Sequence, residues 1–111
     1  MNIATRKVGD FTILDLIGAF KIGGPEQAFR DQVDRLLESG VMNLAVNLGG
    51  VTFLDSSGIG SIVRCHKAVH ERGGRLYFFA APKMVKQTLK MVSLDKVMSL
   101  YEDEASALAD L

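Results

Sequence analysis

Hydrophobic positions along the chain follow two spacings. Continuous or alternating apolar residues, typical of β-strands, occupy residues 3–8, 11–17, 41–48, 51–54, 75–80 and 97–101. Apolar residues three or four positions apart, typical of amphipathic helices, occupy 25–39, 57–72, 82–92 and 102–111. Because helices alternate with strands after an opening pair of strands, the pattern predicts an α/β fold. We expect one domain over residues 1–111, with a mixed sheet of four to five strands and about four helices.

Glycine and proline mark the expected element boundaries. Gly9 and Asp10 predict a tight turn, so the first two strands should be antiparallel. Residues 18–24 are expected to form a loop before a helix that begins near Pro25. Gly49 and Gly50 are expected to break the third strand. The later strands should be parallel neighbours joined by right-handed crossovers.

Each predicted helix has one apolar face, which should pack on the sheet. On the helical wheel, the inward positions are Phe29, Val33, Leu36 and Leu37 in the first helix; Ile59, Ile62, Val63, His66 and Val69 in the second; Val85, Leu89 and Val92 in the third; and Ala105, Leu108 and Leu111 in the last.

Composition narrows the function classes. The 111 residues include 13 basic and 13 acidic side chains, so no positive excess is present to bind a nucleic-acid backbone. The single cysteine, Cys65, excludes an internal disulfide and a cysteine-based zinc site, and as a small hydrophobe it should border the core. No long apolar run or signal peptide is evident. We expect a cytoplasmic protein, a monomer or weak dimer, without a cofactor or bound metal.

The most distinctive stretch is residues 54–60, Leu-Asp-Ser-Ser-Gly-Ile-Gly, between a strand and a helix. Its glycines permit a sharp turn and close approach of another chain segment. Ser56 or Ser57 could cap the helix, and Asp55 could close the turn through its side chain. A helix start also favours anions such as phosphate.

The face of the second helix opposite its apolar stripe carries small residues and little charge. Ser57, Ser61, Arg64 and Ala68 lie there, with Gly60 and Glu71 beside them. A solvent-facing surface is usually richer in Lys and Glu. We therefore interpret this face as a partner surface, with an ordinary solvated face as the alternative.

The same stretch lacks the requirements of the common catalytic motifs. A hydrolase elbow needs Gly-x-Ser-x-Gly, which is absent, and a nucleophilic serine needs a positioned base. Val63 stands where a dinucleotide-binding loop needs its third glycine, and no P-loop is present. Asp55 alone does not make a metal site. We expect no catalytic residue.

Residues 53–60, Phe-Leu-Asp-Ser-Ser-Gly-Ile-Gly, closely resemble the signature of STAS domains, in particular bacterial anti-sigma factor antagonists. The resemblance extends over almost the whole chain: the opening hairpin ends in Gly18, residues 46–48 precede the signature at the usual distance, and Gly73 and Gly74 precede the next strand. It implies a STAS-like fold.

The resemblance also implies a mechanism. In this family, the unphosphorylated antagonist binds an anti-sigma factor that is also a serine kinase, and the sigma factor is released. The kinase phosphorylates the motif serine with ATP, which ends the binding, and a PP2C-type phosphatase reverses it. Ser57 matches the usual acceptor, and Ser56 is the fallback.

The expected partner surface combines the motif with the loop after the second strand. Many antagonists carry an acidic residue in this loop, where Lys21 stands here. The residues expected to contact the partner are Asp55, Ser56, Ser57, Gly58, Gly60, Ser61, Arg64, Ala68, Lys21, Gly23 and Gly24. Two alternatives remain: a STAS adaptor or scaffold subunit of a signalling or transport complex without a sigma factor, and a small nucleotide-using or hydrolytic enzyme.

Overall fold

The fold is taken from a computed structural model that describes residues 1–109. Helices alternate with strands after an opening hairpin. In chain order the elements are β1 (Asn2–Val8), β2 (Phe11–Phe20), α1 (Gly24–Glu38), β3 (Asn43–Leu54), α2 (Ser56–Glu71), β4 (Arg75–Phe79), α3 (Lys83–Met91), a 3-10 turn (Leu94–Lys96), β5 (Leu100–Tyr101) and α4 (Glu104–Leu108).

The five strands form one mixed sheet in the order β1-β2-β3-β4-β5. Strands β1 and β2 are antiparallel, and Gly9, with a φ of 59°, supplies the turn between them. The remaining neighbours are parallel, with helices as their connections. The predicted fold class, hairpin and parallel strands are confirmed.

The predicted boundaries around β2 and β3 are wrong. Strand β2 continues through residues 18–20, which were expected in a loop, and β3 runs unbroken through Gly49 and Gly50. The register between β2 and β3 shifts twice in this region. A Cβ on Gly50 would lie 2.6 Å from the carbonyl oxygen of Leu16, so glycine permits close strand contact here. As a result, Phe20 pairs with Leu54 at the carboxyl ends of the two strands.

The main core fills the space between one face of the sheet and helices α1, α2 and α3. It includes Phe20 and Phe29, whose ring centroids are 5.0 Å apart. A smaller cluster on the opposite face includes Phe11 and Tyr77 and is covered by Ala107 of α4. The sheet is therefore covered on both faces, which fits its continuous apolar strands.

In α1, the predicted inward residues Phe29, Val33 and Leu37 are buried. In the other helices, the prediction is wrong at three positions. Val63 is 45% exposed and Val92 is 48% exposed, while Ala105 is also exposed. The buried stripe of α2 instead passes through Gly58, Ser61, Ile62, Cys65 and Val69. The buried face of α2 therefore differs from the predicted one, because Gly58 lies against the ends of β2 and β3 and Ser61 lies against α1. Leu111, predicted inward in the last helix, lies outside the described residues.

Helix α4 is attached to the sheet by a polar cluster. Nε of Arg6 donates to Asp15 Oδ2 at 2.7 Å, and Arg6 also pairs with Glu104 of α4. Asn47 Nδ2 donates to Asp15 Oδ1 at 2.9 Å. The guanidinium of Arg6 lowers the pKa of Asp15, and these carboxylates raise the pKa of Arg6. This cluster lies on the sheet face opposite α1 and α2.

Candidate functional site

The residues of the distinctive stretch lie at the carboxyl ends of β2 and β3. The pairing of Phe20 with Leu54 brings the loop after β2 beside the start of α2. The backbone N–H of Asp55 donates to the carbonyl oxygen of Phe20 at 3.3 Å. Ligands of parallel sheets commonly bind at this edge, because the loops after neighbouring strands meet there.

Asp55 holds the site together. Its Oδ1 accepts a hydrogen bond from the N–H of Gly58 at 2.9 Å, which caps α2. Its Oδ2 accepts from the N–H of Ile22 at 3.0 Å, in the loop between β2 and α1. The N–H groups of Gly58 and Ile22 lower the pKa of the carboxyl. Asp55 was correctly predicted to close the turn through its side chain; the prediction that a serine caps the helix is wrong.

The two glycines of the motif have different surroundings. A Cβ on Gly58 would lie 2.5 Å from the carbonyl oxygen of Phe20 and 2.7 Å from Cδ1 of Leu54. Gly58 thus allows the first turn of α2 to contact the ends of both strands. Gly60 is exposed, and a Cβ there would have no neighbour within 4 Å. Close packing therefore requires glycine at position 58 only.

The two serines occupy the first two positions of α2. Ser56 is exposed, whereas Ser57 is half-buried. Ser57 lines an open groove of about 370 Å³ between α2 and the start of α1. The other residues that line this groove are Ile22, Glu26, Arg30, Gly60, Ser61 and Arg64. Ser57 therefore shares this groove with Glu26 and Arg30 of α1.

Polar contacts between α1 and α2 form the wall of the groove. Ser61 Oγ donates to Glu26 Oε1 at 2.9 Å, and Nη1 of Arg30 donates to the same oxygen at 3.0 Å. These hydrogen bonds, that of Ser61 first, lower the pKa of Glu26. Nearer the middle of α2, Arg64 pairs with Asp34 of α1 at 3.3 Å. Each helix therefore contributes charged side chains to the groove that Ser57 lines, Glu26 and Arg30 from α1 and Arg64 from α2.

The expectation that Gly58 and Ser61 lie on an accessible face is wrong, because both are buried. Ser61 tolerates burial because its hydroxyl bonds to Glu26. The other predicted surface positions are available to a partner. Lys21, Gly23, Gly24, Ser56, Gly60 and Arg64 are exposed, and Ala68 is partly buried.

The sequence interpretation missed three lining residues, namely Ile22, Glu26 and Arg30. Ile22 is 71% exposed, so its apolar side chain lies open to solvent at the groove. Glu26 and Arg30 form an i, i+4 ion pair, and this spacing was readable from the sequence. Their position beside Ser57 was not, because it depends on contacts between residues more than 30 positions apart.

Other reactive side chains do not assemble near the motif. Within residues 1–109, no three His, Cys, Asp or Glu side chains are grouped so that they could hold a metal ion. Burial raises the pKa of the Cys65 thiol to about 12. His66 and His70 stack on α2 with ring centroids 4.1 Å apart. No helix in the described part of the chain has the length and apolar character needed to cross a membrane.

Comparisons with known proteins agree with this geometry. The chain is 32% identical over 69 residues to the anti-sigma F factor antagonist of Paenibacillus polymyxa. This match covers 62% of the chain and 59% of the relative, so it spans less than two thirds of that protein.

Two solved structures share the fold. An anti-sigma factor antagonist from Mycobacterium paratuberculosis has a TM-score of 0.85 and 17% identity, with 97% of this chain and 91% of that chain covered. The Bacillus cell fate determinant SpoIIAA in its phosphorylated form has a TM-score of 0.76 and 15% identity, with 97% of each chain covered.

The match to a family extends over nearly the whole sheet and its helices. The sequence model of the STAS domain matches residues 2–107, which includes every element from β1 to most of α4. The Asp-Ser-Ser-Gly stretch lies in this range, at the carboxyl edge of the sheet. The chain therefore belongs to the STAS domain family.

Proposed function

We propose that this protein is a cytoplasmic anti-sigma factor antagonist that is switched off by phosphorylation of Ser57. Its unmodified form binds an anti-sigma factor that is also a serine kinase, and binding frees a sigma factor. A PP2C-type phosphatase restores the unmodified serine. The protein acts as a binding module and catalyses no reaction in this scheme.

The observation that carries the proposal is the division of roles between Asp55 and Ser57. Asp55 makes the side-chain hydrogen bonds that cap α2 and fix the loop after β2. Ser57 lines the adjacent groove, and its side chain is not a partner in either of those two bonds. A phosphoryl group can therefore be added at Ser57 while the turn keeps its stabilising contacts.

The position of Ser57 also explains how a phosphate would stop binding. Phosphorylation adds a charge of about −1.5 to −2. At the start of α2, the positive end of the helix dipole should help the fold tolerate this charge. The same charge enters the surface that Gly60, Arg64 and Lys21 present to a partner. Repulsion and the cost of desolvating a dianion should then prevent docking.

The relatives support this assignment. The Paenibacillus relative is named as an anti-sigma F factor antagonist. SpoIIAA, which has the same fold, has been solved in a phosphorylated and an unphosphorylated form. We take the existence of both forms as support for a phosphorylation switch on this fold.

One observation favours a second candidate, a STAS adaptor or scaffold subunit without a sigma factor. Lys21, which stands where many antagonists carry an acidic residue, is exposed and adjoins the Ile22 N–H that binds Asp55. At this position the partner surface is therefore positive, where that of many antagonists is negative. A partner that differs from a kinase-type anti-sigma factor would account for it.

Affinity capture from the native host distinguishes these functions. The baits are the wild-type protein, Ser57→Asp and Ser56→Asp, with Ser99→Asp as a matched control because Ser99 is exposed and lies outside the groove. The proposal predicts that wild type and Ser99→Asp capture a kinase-type anti-sigma factor and that Ser57→Asp does not. Loss of capture only with Ser56→Asp would move the acceptor to Ser56. Capture of a membrane or signalling complex equally by all baits would favour the adaptor.

A further inference from the structure

Two arginines face the groove of Ser57 from different helices. Arg30 belongs to α1 and Arg64 to α2, and both line the groove that Ser57 lines. Two cationic side chains, one from each helix, thus line the same groove as the hydroxyl that is the proposed phosphorylation site.

Neither arginine has its hydrogen-bonding capacity filled by strong partners. Arg30 uses Nη1 for Glu26, but its Nε is buried without a hydrogen-bond partner among the described residues. A buried, unpaired guanidinium N–H costs free energy, so an additional acceptor near it would be favourable. Arg64 reaches Asp34 only at 3.3 and 3.4 Å, and both side chains are more than 40% exposed. An ion pair of this kind contributes little and is easily exchanged.

We propose that Arg30 and Arg64 bind the phosphoryl group on residue 57 within the same molecule, one from each side of the groove. This inference rests on the proposed modification of Ser57 and adds the groups that hold the phosphate. Guanidinium groups suit the task because they donate several N–H bonds in a fixed fork to phosphate oxygens.

The carboxylates around the groove determine what must change. Glu26 forms an ion pair with Arg30, and Asp34 forms one with Arg64. Asp55 is the N-cap of α2. Asp55 is already bonded to two backbone N–H groups, so it stays in place. Glu26 keeps its bond to Ser61 when Arg30 turns to the phosphate. Asp34 is half-exposed and can be solvated when Arg64 leaves it.

This exchange gives phosphorylation a second effect on docking. The phosphate adds negative charge beside Gly60, and it also withdraws the cation of Arg64 from the exposed face of α2. A partner that recognises that cation loses it in the phosphorylated protein. The switch would then remove an attractive group as well as introduce a repulsive one.

The test uses protein in which phosphoserine is installed at position 57 during synthesis, followed by ³¹P NMR titration of the phosphate. The backgrounds are wild type, Arg30→Gln and Arg64→Gln. Arg35→Gln is the matched control, since it removes the same charge from α1 but does not line the groove. We expect the second pKa of the phosphate in wild type to lie below its ordinary value of about 6. Arg30→Gln and Arg64→Gln should each raise it by about half a unit or more, and Arg35→Gln should leave it unchanged.

Two results would overturn the inference. One is an ordinary phosphate pKa that neither Arg30→Gln nor Arg64→Gln changes. The other is an equal change with Arg35→Gln, which would indicate net charge rather than contact. Because Arg64 is exposed, Arg64→Gln retains the readout even if Arg30→Gln disturbs folding. The phosphate is installed without the host kinase, so failure here is distinct from failure of the capture experiment.

Discussion

The sharpest test of the site geometry compares two Gly-to-Ala substitutions two positions apart on α2. Alanine at position 58 would bring its Cβ to 2.5 Å from the carbonyl oxygen of Phe20 and 2.7 Å from Leu54. The contact with Phe20 is to backbone, which cannot rotate away. Overpacking of this kind costs about 1–3 kcal/mol, and the gain in helix propensity offsets about 1 kcal/mol. Because the clash is with backbone, we take the upper part of that range, about 2–3 kcal/mol. After the offset, we expect Gly58→Ala to lower the free energy of unfolding by about 1–2 kcal/mol.

Gly60→Ala provides the control. The added methyl group has no neighbour within 4 Å, so only the helix-propensity gain remains. We expect this variant to be more stable than wild type by about 0.5–1 kcal/mol. Urea denaturation, monitored by circular dichroism, measures the free energy of unfolding of both variants. A change of 1 kcal/mol corresponds to about 4 °C in Tm for a domain of this size. Equal stability of Gly58→Ala and Gly60→Ala would show that position 58 does not require glycine.

Three further predictions concern groups in or near the site. Asp55→Ala should lower the urea midpoint of unfolding through loss of the cap, and Asp55→Asn should lower it less because asparagine keeps one acceptor oxygen. Equal urea midpoints for Asp55→Ala and wild type would contradict this. Because the pKa of Asp55 is lowered in the folded protein, the ionised carboxylate stabilises the fold above the unfolded-state pKa of about 3.9. This stabilisation is lost as the pH falls through the folded-state pKa, so Asp55→Asn should make the unfolding free energy depend less on pH in acid. Cys65, with a pKa near 12 and 2% exposure, should react with a thiol reagent at pH 8 only when urea unfolds the protein, and rapid labelling of the native protein would show that the thiol is accessible.

The fold was predictable because local signals agreed with one another. The alternating strand and helix periods, the turn at Gly9 and the continuous apolar run of β3 all specify the same mixed sheet. Closure of the turn by the side chain of Asp55 was also predicted, whereas the helix cap was assigned to a serine and is formed by Asp55.

The errors arose where tertiary contacts override local preference. Gly49 and Gly50 resemble a strand break, but β2 approaches so closely at Gly50 that β3 continues through them. Ser61 resembles a surface residue, but the carboxylate of Glu26, 35 positions away, satisfies its hydroxyl and permits burial. Val63, which was expected on the buried face of α2, is exposed instead.

The groove of Ser57 could not be predicted because it joins segments distant in the sequence. The Ile22 N–H reaches Asp55 across 33 positions, and this bond places the start of α1 beside α2. A single sequence does not specify that juxtaposition. The Glu26–Arg30 ion pair can be predicted from its spacing in the sequence. That it lines the same groove as Ser57 is known only from the folded structure.

In the proposed switch, phosphate on Ser57 ends partner binding while the fold is retained. The most direct measurement is titration calorimetry of the captured anti-sigma factor with unmodified protein and with protein carrying phosphoserine at position 57, each also melted by circular dichroism. We expect a loss of affinity of about 100-fold or more, equivalent to about 2.7 kcal/mol, with a cooperative melt retained. Equal affinity of the two forms, or loss of binding together with loss of the folded signal, would contradict it.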